Sequence, residues 1–129
     1  PIFEAFATSI PHIGPVGTAQ VMKLLNNNLC YANLAMGASA LEIAEQLSMD
    51  TDVVMNIIKV SSGASMAFNN IIGDRDLLRK ATGPSGNMSK DIHHFQNILS
   101  NNNIPNDSLS AVSETAPDRL KKLAKKWNL

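Results

Sequence analysis

The sequence has few of the residues from which β-sheets, disulfide scaffolds and membrane spans are built. Aromatic side chains make up 5% of its 129 residues, and it has one cysteine, Cys30. A single cysteine excludes a disulfide framework within the chain, and no cysteine–histidine cluster has the spacing of a zinc site. No apolar run approaches the roughly 20 residues of a membrane span, and no signal-peptide pattern opens the chain. We therefore expect a soluble, cytoplasmic protein without a metal site.

The sequence also lacks net charge. Eleven basic and eleven acidic side chains cancel, which argues against nucleic acid or an anionic membrane as a partner. The length suffices for one domain with a hydrophobic core and is too short for two ordinary domains. Because the chain begins with Pro1 instead of methionine, we interpret residues 1–129 as one domain of a longer polypeptide.

What the sequence does contain is helical periodicity. Between Thr18 and about Leu47 there is no proline and one glycine, and apolar residues recur at helical spacing. This segment predicts one helix of about 28 residues, roughly 42 Å long. Such a helix exceeds what a domain of this size needs to cross its own core. It is therefore expected to reach a second domain or a second subunit.

The remaining chain predicts shorter helices and loops. Residues 73–87 are rich in glycine and polar residues, which predicts a loop around a short charged turn. The fold class is all-α, a bundle of five to six helices built on one long N-terminal helix. The shorter helices are predicted after a cap at Asp50, near residues 65–72, from a cap at Ser89 to about Ser100, after Pro105, and over residues 118–127.

The start of the long helix carries the most chemical information. Lys23 is followed by three consecutive asparagines, each of which costs roughly 0.5 kcal/mol or more relative to alanine in a helix. Lys23 and Asn27 are four residues apart, so they lie on one helix face and can converge on one small ligand. A lysine in a dry pocket can act as a general acid or base. The alternative from spacing alone is a solvated helix start with a surface lysine.

The same segment resembles the C-terminal domain of the β-hydroxyacid dehydrogenase family, which includes 3-hydroxyisobutyrate dehydrogenases and tartronate semialdehyde reductases. The family signature is G-x-x-G-x-[GA]-x-x-x-K-x-x-x-N. It is present with every spacing kept, as Gly14, Gly17, Ala19, Lys23 and Asn27. The resemblance extends from Phe3 to about Ser113, and it includes a Ser-Ser-Gly stop at residues 61–63.

A later Lys-Asp pair, Lys90-Asp91, adds to the resemblance. Lys90 follows Lys23 by 67 residues, which is about the family spacing, and in the family this lysine reaches the nicotinamide cofactor. The alternative is an ordinary helix start. In that case Asp91 interacts favourably with the helix dipole and Lys90 faces water.

The resemblance implies an oxidoreductase domain of the type found in 6-phosphogluconate dehydrogenase-like enzymes. The enzyme would interconvert a small 3-hydroxy acid and its semialdehyde, with Lys23 as the catalytic acid/base, Asn27 binding substrate and Lys90 contacting NAD or NADP. No G-x-G-x-x-G motif follows a strand in this chain. The cofactor would therefore be bound mainly by a Rossmann domain of the same polypeptide, and we expect the fragment alone to be inactive. The long helix is expected to form a homo-oligomer such as a dimer.

Two other interpretations stay open at this stage. A non-catalytic dimerisation or binding module can have the same fold, and a weaker possibility is a relative that acts on sugar-acid phosphates or imines. The sequence does not fix which hydroxy acid is used, nor NAD against NADP.

Other polar residues favour structural roles. The basic C-terminal helix is expected to be a solvated face, with Leu120, Leu123 and Trp127 packed inward. His93 and His94 point in different directions and predict no metal site. His12 is expected to be a plain loop residue, and Cys30 a buried structural thiol.

Overall fold

A computed structural model describes residues 11–83, 87–105 and 108–129. Within these ranges all regular structure is helical, which confirms the all-α prediction, and no helix there is long and apolar enough to cross a membrane. Residues 1–10, which include the start of the resemblance at Phe3, lie outside the described part. The helices are α1 (Thr18–Gln46), α2 (Thr51–Lys59), a π-helix (Phe68–Ile72), α3 (Arg75–Thr82), α4 (Met88–Asn101), α5 (Ser108–Glu114) and α6 (Ala116–Lys126).

The predicted long helix is confirmed as α1, with 29 residues. Gly17, directly before it, has φ 100°, a left-handed conformation that glycine adopts at little cost. The Thr18 hydroxyl donates a hydrogen bond to the carbonyl of Pro15 at 2.7 Å. The glycine-containing turn therefore sets the point at which α1 begins, and with it the position of Lys23.

The core forms where α1 packs against α4, α5 and α6. The buried face of α1 includes one polar residue, Asn28, which is fully buried. The Asn28 amide donates to the carbonyl of Leu24 at 2.8 Å, and its oxygen accepts from the Ser113 hydroxyl at 2.9 Å. This pairing satisfies a buried amide and ties α1 to α5. The buried apolar residues of α1 are Leu24, Ala32, Leu34, Ala35, Ala38, Leu41 and Ala44.

The predicted loop over residues 73–87 is wrong in its central part, where the structure has α3. Asp74 caps this helix by accepting from the backbone N–H groups of Asp76 and Leu77 at 2.9 and 3.1 Å. Leu78 is fully buried, whereas the charged residues of α3 are exposed. α3 is a short amphipathic helix of about two turns between two glycines. It contains too few apolar residues to show a helical period in the sequence. Residues 84–86 lie outside the described part.

The other predicted caps have mixed outcomes. Asp50 caps α2, as predicted, by accepting from the N–H groups of Asp52 and Val53. Ser89 does not cap α4, because Asn87 occupies the N-cap position and Ser89 lies inside the first turn. The stretch near residues 65–72 is helical, and its second half is the π-helix.

The basic C-terminal helix has the predicted solvated face. Leu120 and Leu123 of α6 are buried, while Arg119 and Lys122 pair with Glu42 of α1. The hydrogen bond and charge of Lys122 lower the pKa of Glu42. Arg119, Lys122 and Lys126 of α6 thus have acidic partners on α1.

The π-helix packs against α1 where α1 carries its glycine. Phe68 is buried, and a Cβ atom added to Gly37 would lie 2.3 Å from Cδ2 of its ring. Such an overlap requires a shift of the ring or of the helix. Gly37 is therefore needed for the close approach of these two elements.

We predict that Gly37→Ala lowers the free energy of unfolding by about 1–3 kcal/mol, the usual cost of overpacking a core. The matched control is Gly63→Ala, because no atom lies within 4 Å of an added Cβ there. Denaturant unfolding measures both variants. Equal stability of the two would contradict the close packing of Phe68 on Gly37.

Candidate active site

The candidate site lies on the face of α1 that carries Lys23, Asn27 and Tyr31, at intervals of four residues. This face meets the first turn of α4. The Asn27 amide nitrogen donates to Oδ2 of Asp91 at 2.8 Å, and the Tyr31 hydroxyl donates to the same oxygen at 3.0 Å. The structure therefore joins Asn27 to the Lys-Asp pair, although the two are more than 60 residues apart in the chain.

The two candidate lysines are placed differently from Asn27. Both Lys23 and Lys90 are exposed, and neither forms an ion pair with a described carboxylate. Neighbouring residues of a helix point about 100° apart, so Asp91 faces α1 whereas Lys90 faces solvent. Lys23 on α1 and Lys90 on α4 thus lie near the Asn27–Asp91 hydrogen bond in the sequence, but neither lysine forms an ion pair with Asp91.

Tyr31 is a component that the sequence did not reveal. Its side chain is half-buried, and burial together with the hydrogen bond to Asp91 raises the pKa of its phenol. In the alternative interpretation of the Lys-Asp pair, Asp91 only interacts favourably with the helix dipole. It does lie in the first turn of α4, and in addition it accepts two side-chain hydrogen bonds. The spacing of Tyr31 from Asn27 was the available signal, since it places both on one face.

The remaining candidates stay outside this arrangement. Cys30 is half-buried, and burial raises the pKa of its thiol, which opposes thiolate formation. Nε2 of His93 lies 3.2 Å from the amide nitrogen of Asn97. His12 is exposed. Within the described residues, no three histidine, cysteine or acidic side chains are placed to hold a metal ion.

A cavity of about 260 Å³ lies elsewhere, between the end of α1 and α6. Trp127 forms part of its wall, with the Arg75 guanidinium 4.7 Å above the centre of the indole ring. Glu42, another lining residue, is 15 positions from Asn27 along α1, roughly 22 Å at the helical rise. The cavity is therefore separate from the candidate site.

Comparison with known proteins identifies the family of this chain. A family model matches residues 17–127, which is most of the chain. The chain belongs to the family described as the NAD-binding domain of NADP-dependent 3-hydroxyisobutyrate dehydrogenase. The matched range includes Lys23, Asn27 and Lys90.

Three curated relatives agree with this family. An uncharacterised oxidoreductase of Synechocystis sp. is 30% identical over 55% of the chain and 24% of its own length. The NAD-dependent L-serine dehydrogenase of Pseudomonas aeruginosa is 34% identical over 52% of the chain and 22% of its own length. The 3-hydroxyisobutyrate dehydrogenase of the same organism is 35% identical over 54% of the chain and 23% of its own length. The chain thus matches less than a quarter of each relative's length. No solved structure matches it.

The raised pKa of Tyr31 predicts how stability depends on alkaline pH. Above pH 10, the phenol's ordinary value, the unfolded chain loses this proton while the folded chain keeps it. The contribution of Tyr31 to stability is therefore complete below pH 10 and is lost as the pH rises towards the folded-state pKa.

We expect the free energy of unfolding to fall more steeply above pH 10 in the wild type than in Tyr31→Phe. The lysines titrate in the same range, so the difference between the two proteins is the quantity to measure. Parallel pH profiles would contradict the half-buried, hydrogen-bonded state of Tyr31.

Proposed function

We propose that residues 1–129 form the substrate-binding and oligomerisation domain of an NAD(P)-dependent dehydrogenase, which interconverts a small 3-hydroxy acid and its semialdehyde. The observation that carries this proposal is the hydrogen bond between Asn27 and Asp91. It joins the Lys23 face of α1 to the start of α4, where Lys90 lies. The family match and the named dehydrogenase relatives support the same class of reaction.

Each residue has a distinct role in this proposal. Lys23 takes the proton from the substrate hydroxyl during oxidation and returns it during reduction. Asn27 binds the substrate one helical turn away. Lys90, a cation that no described carboxylate engages, suits contact with an anionic dinucleotide. A bound nicotinamide supplies the hydride chemistry, and the protein supplies position and charge.

A Rossmann domain of the same polypeptide completes the proposed enzyme. Lys23 is exposed in the structure, whereas proton transfer in a dehydrogenase benefits from a site that excludes water. Sites of this kind commonly lie in a cleft between two domains. We infer that the Rossmann domain covers the Lys23 face and binds most of the cofactor, and that residues 1–129 alone are inactive.

Lys23→Ala in the whole polypeptide tests the proposed chemistry. We expect kcat to fall by about 10²- to 10⁴-fold, the usual contribution of a general acid or base. Lys125→Ala, which removes an exposed lysine of α6, is the matched control and should leave kcat unchanged. Turnover that does not depend on Lys23 would exclude the acid/base role and favour a non-catalytic dimerisation or binding module of the same fold.

The proposed oligomer uses a second face of α1. Large apolar side chains recur there every seven residues, at Met22, Leu29, Met36 and Ile43, with 43–61% of each exposed. This apolar stripe is roughly 32 Å long and lies roughly opposite the Lys23 face on the helix. A row of exposed apolar side chains along one helix face is typical of an interface. We propose that a second copy of the chain covers the stripe.

Met36→Glu tests this interface. A charge in the middle of the apolar stripe should dissociate the oligomer, because an unpaired carboxylate is costly to bury. Light scattering coupled to gel filtration measures the mass, and Gln46→Glu, at an exposed position near the end of α1, is the control. A wild-type protein that is monomeric at micromolar concentration would rule out the proposed oligomer.

A further inference from the structure

The amide of Asn27 can face Asp91 in only one way. A carboxylate accepts hydrogen bonds and donates none, so the amide must turn its nitrogen towards Asp91, as the 2.8 Å contact shows. The reverse orientation would place two acceptor oxygens against each other with no proton between them. The carbonyl oxygen of Asn27 therefore points away from Asp91. It makes no hydrogen bond with a described residue.

Tyr31 holds the carboxylate that imposes this orientation. Its hydroxyl donates to the same oxygen of Asp91 at 3.0 Å, from one turn further along α1. Hydrogen bonds to a charged acceptor are roughly twice as strong as neutral ones, so the two donors together fix the carboxylate. Tyr31 itself is eight residues from Lys23, about 12 Å along the helix axis. Its hydroxyl is bonded to Asp91, so we place its action there and not on the substrate.

We propose that Tyr31 is a positioning residue, which acts through Asp91 to keep the carbonyl oxygen of Asn27 turned towards the ligand. The ligand group that meets Asn27 is then a hydrogen-bond donor, a hydroxyl or an ammonium. This inference rests on the proposed function, since the ligand is the hydroxy acid, and it adds which group of that ligand Asn27 binds.

A carboxylate does not suit this position. A ligand carboxylate and the Asn27 carbonyl would both be hydrogen-bond acceptors, so no hydrogen bond could form between them. The second N–H of the amide is beside the one that is bound to Asp91, so an anion drawn there would be repelled by the Asp91 charge. The carboxylate of the substrate therefore binds elsewhere in the cleft, and Asn27 discriminates for the substrate's donor group.

Tyr31→Phe in the whole polypeptide tests the positioning role, because it removes the hydroxyl and keeps the ring. We expect KM for the hydroxy acid to rise about three- to tenfold, which corresponds to one hydrogen bond, with a smaller change in kcat and none in the cofactor KM. Ser113→Ala is the matched control. It removes a hydroxyl that bonds to α1 at Asn28, next to Asn27, and should lower stability without changing KM.

The side-chain amide signal of Asn27 gives a readout that does not depend on activity. In ¹⁵N-labelled full-length protein, the signal is assigned by its loss in Asn27→Ala. We expect it to move in Tyr31→Phe and to stay in place in Ser113→Ala. An unmoved signal in Tyr31→Phe, or a KM no different from that of Ser113→Ala, would overturn the positioning role.

The donor assignment is tested by a pair of ligands. A small hydroxy acid is compared with its analogue that has fluorine in place of the hydroxyl, because fluorine is similar in size and donates no proton. We expect the wild type to prefer the hydroxy acid by about tenfold, one hydrogen bond's worth of affinity, and Asn27→Ala to lose most of that preference. An unchanged preference in Asn27→Ala overturns the assignment.

These outcomes separate the inference from the proposed function. If Lys23→Ala removes activity while Tyr31→Phe leaves KM and the amide signal unchanged, the dehydrogenase stands and the role of Tyr31 is overturned. If the wild type has no dehydrogenase activity, the proposed function fails. The amide signal then decides the role of Tyr31 by itself.

Discussion

The division of one long helix into faces is the constraint on which the rest of the structure depends. α1 turns every 3.6 residues, so three neighbouring sets of residues face three environments. One set packs into the core against α4, α5 and α6. A second set, with Lys23, Asn27 and Tyr31, meets the first turn of α4. The third is the apolar stripe, which stays exposed. Because all three faces belong to one continuous helix, the packing of its buried residues sets the direction of the other two faces.

Two adjacent asparagines of α1 make separate contacts, one in the core and one at the site. Asn28 points into the core and bonds to Ser113, while Asn27 points to α4 and bonds to Asp91. Leaving a buried amide unpaired costs about 1–3 kcal/mol, so the pair with Ser113 favours a single placement of α5 against α1. Asn27 bonds to α4 and not to α5, so loss of the Ser113 contact is expected to lower stability and to leave the bond to Asp91 in place. The fold thus places the Asn27 amide beside Asp91, and the hydrogen bond to Asp91 turns the carbonyl oxygen of that amide outward.

The sequence predicted those parts of the fold that depend on local pattern. The length of α1 followed from its period and its lack of proline, and the cap at Asp50 from the preference of helix ends for aspartate. α3 was missed because its eight residues bury only Leu78, too weak a pattern to distinguish from a charged turn. Lys23, Asn27 and Lys90 came from a signature at fixed spacing. The bonds of Asp91 to Asn27 and Tyr31 join residues 60 or more positions apart, so only tertiary packing reveals them.

The two exposed faces of α1 differ in polarity. Burial of the apolar stripe against another apolar surface is favourable, by about 25 cal/mol per Å². The Lys23 face carries charge and amide groups, whose burial is favourable only against matching polar groups. The second copy proposed for the stripe and the cofactor domain proposed for the Lys23 face therefore do not compete for the same surface. Since the two faces lie on roughly opposite sides of α1, association through the stripe would leave the Lys23 face open.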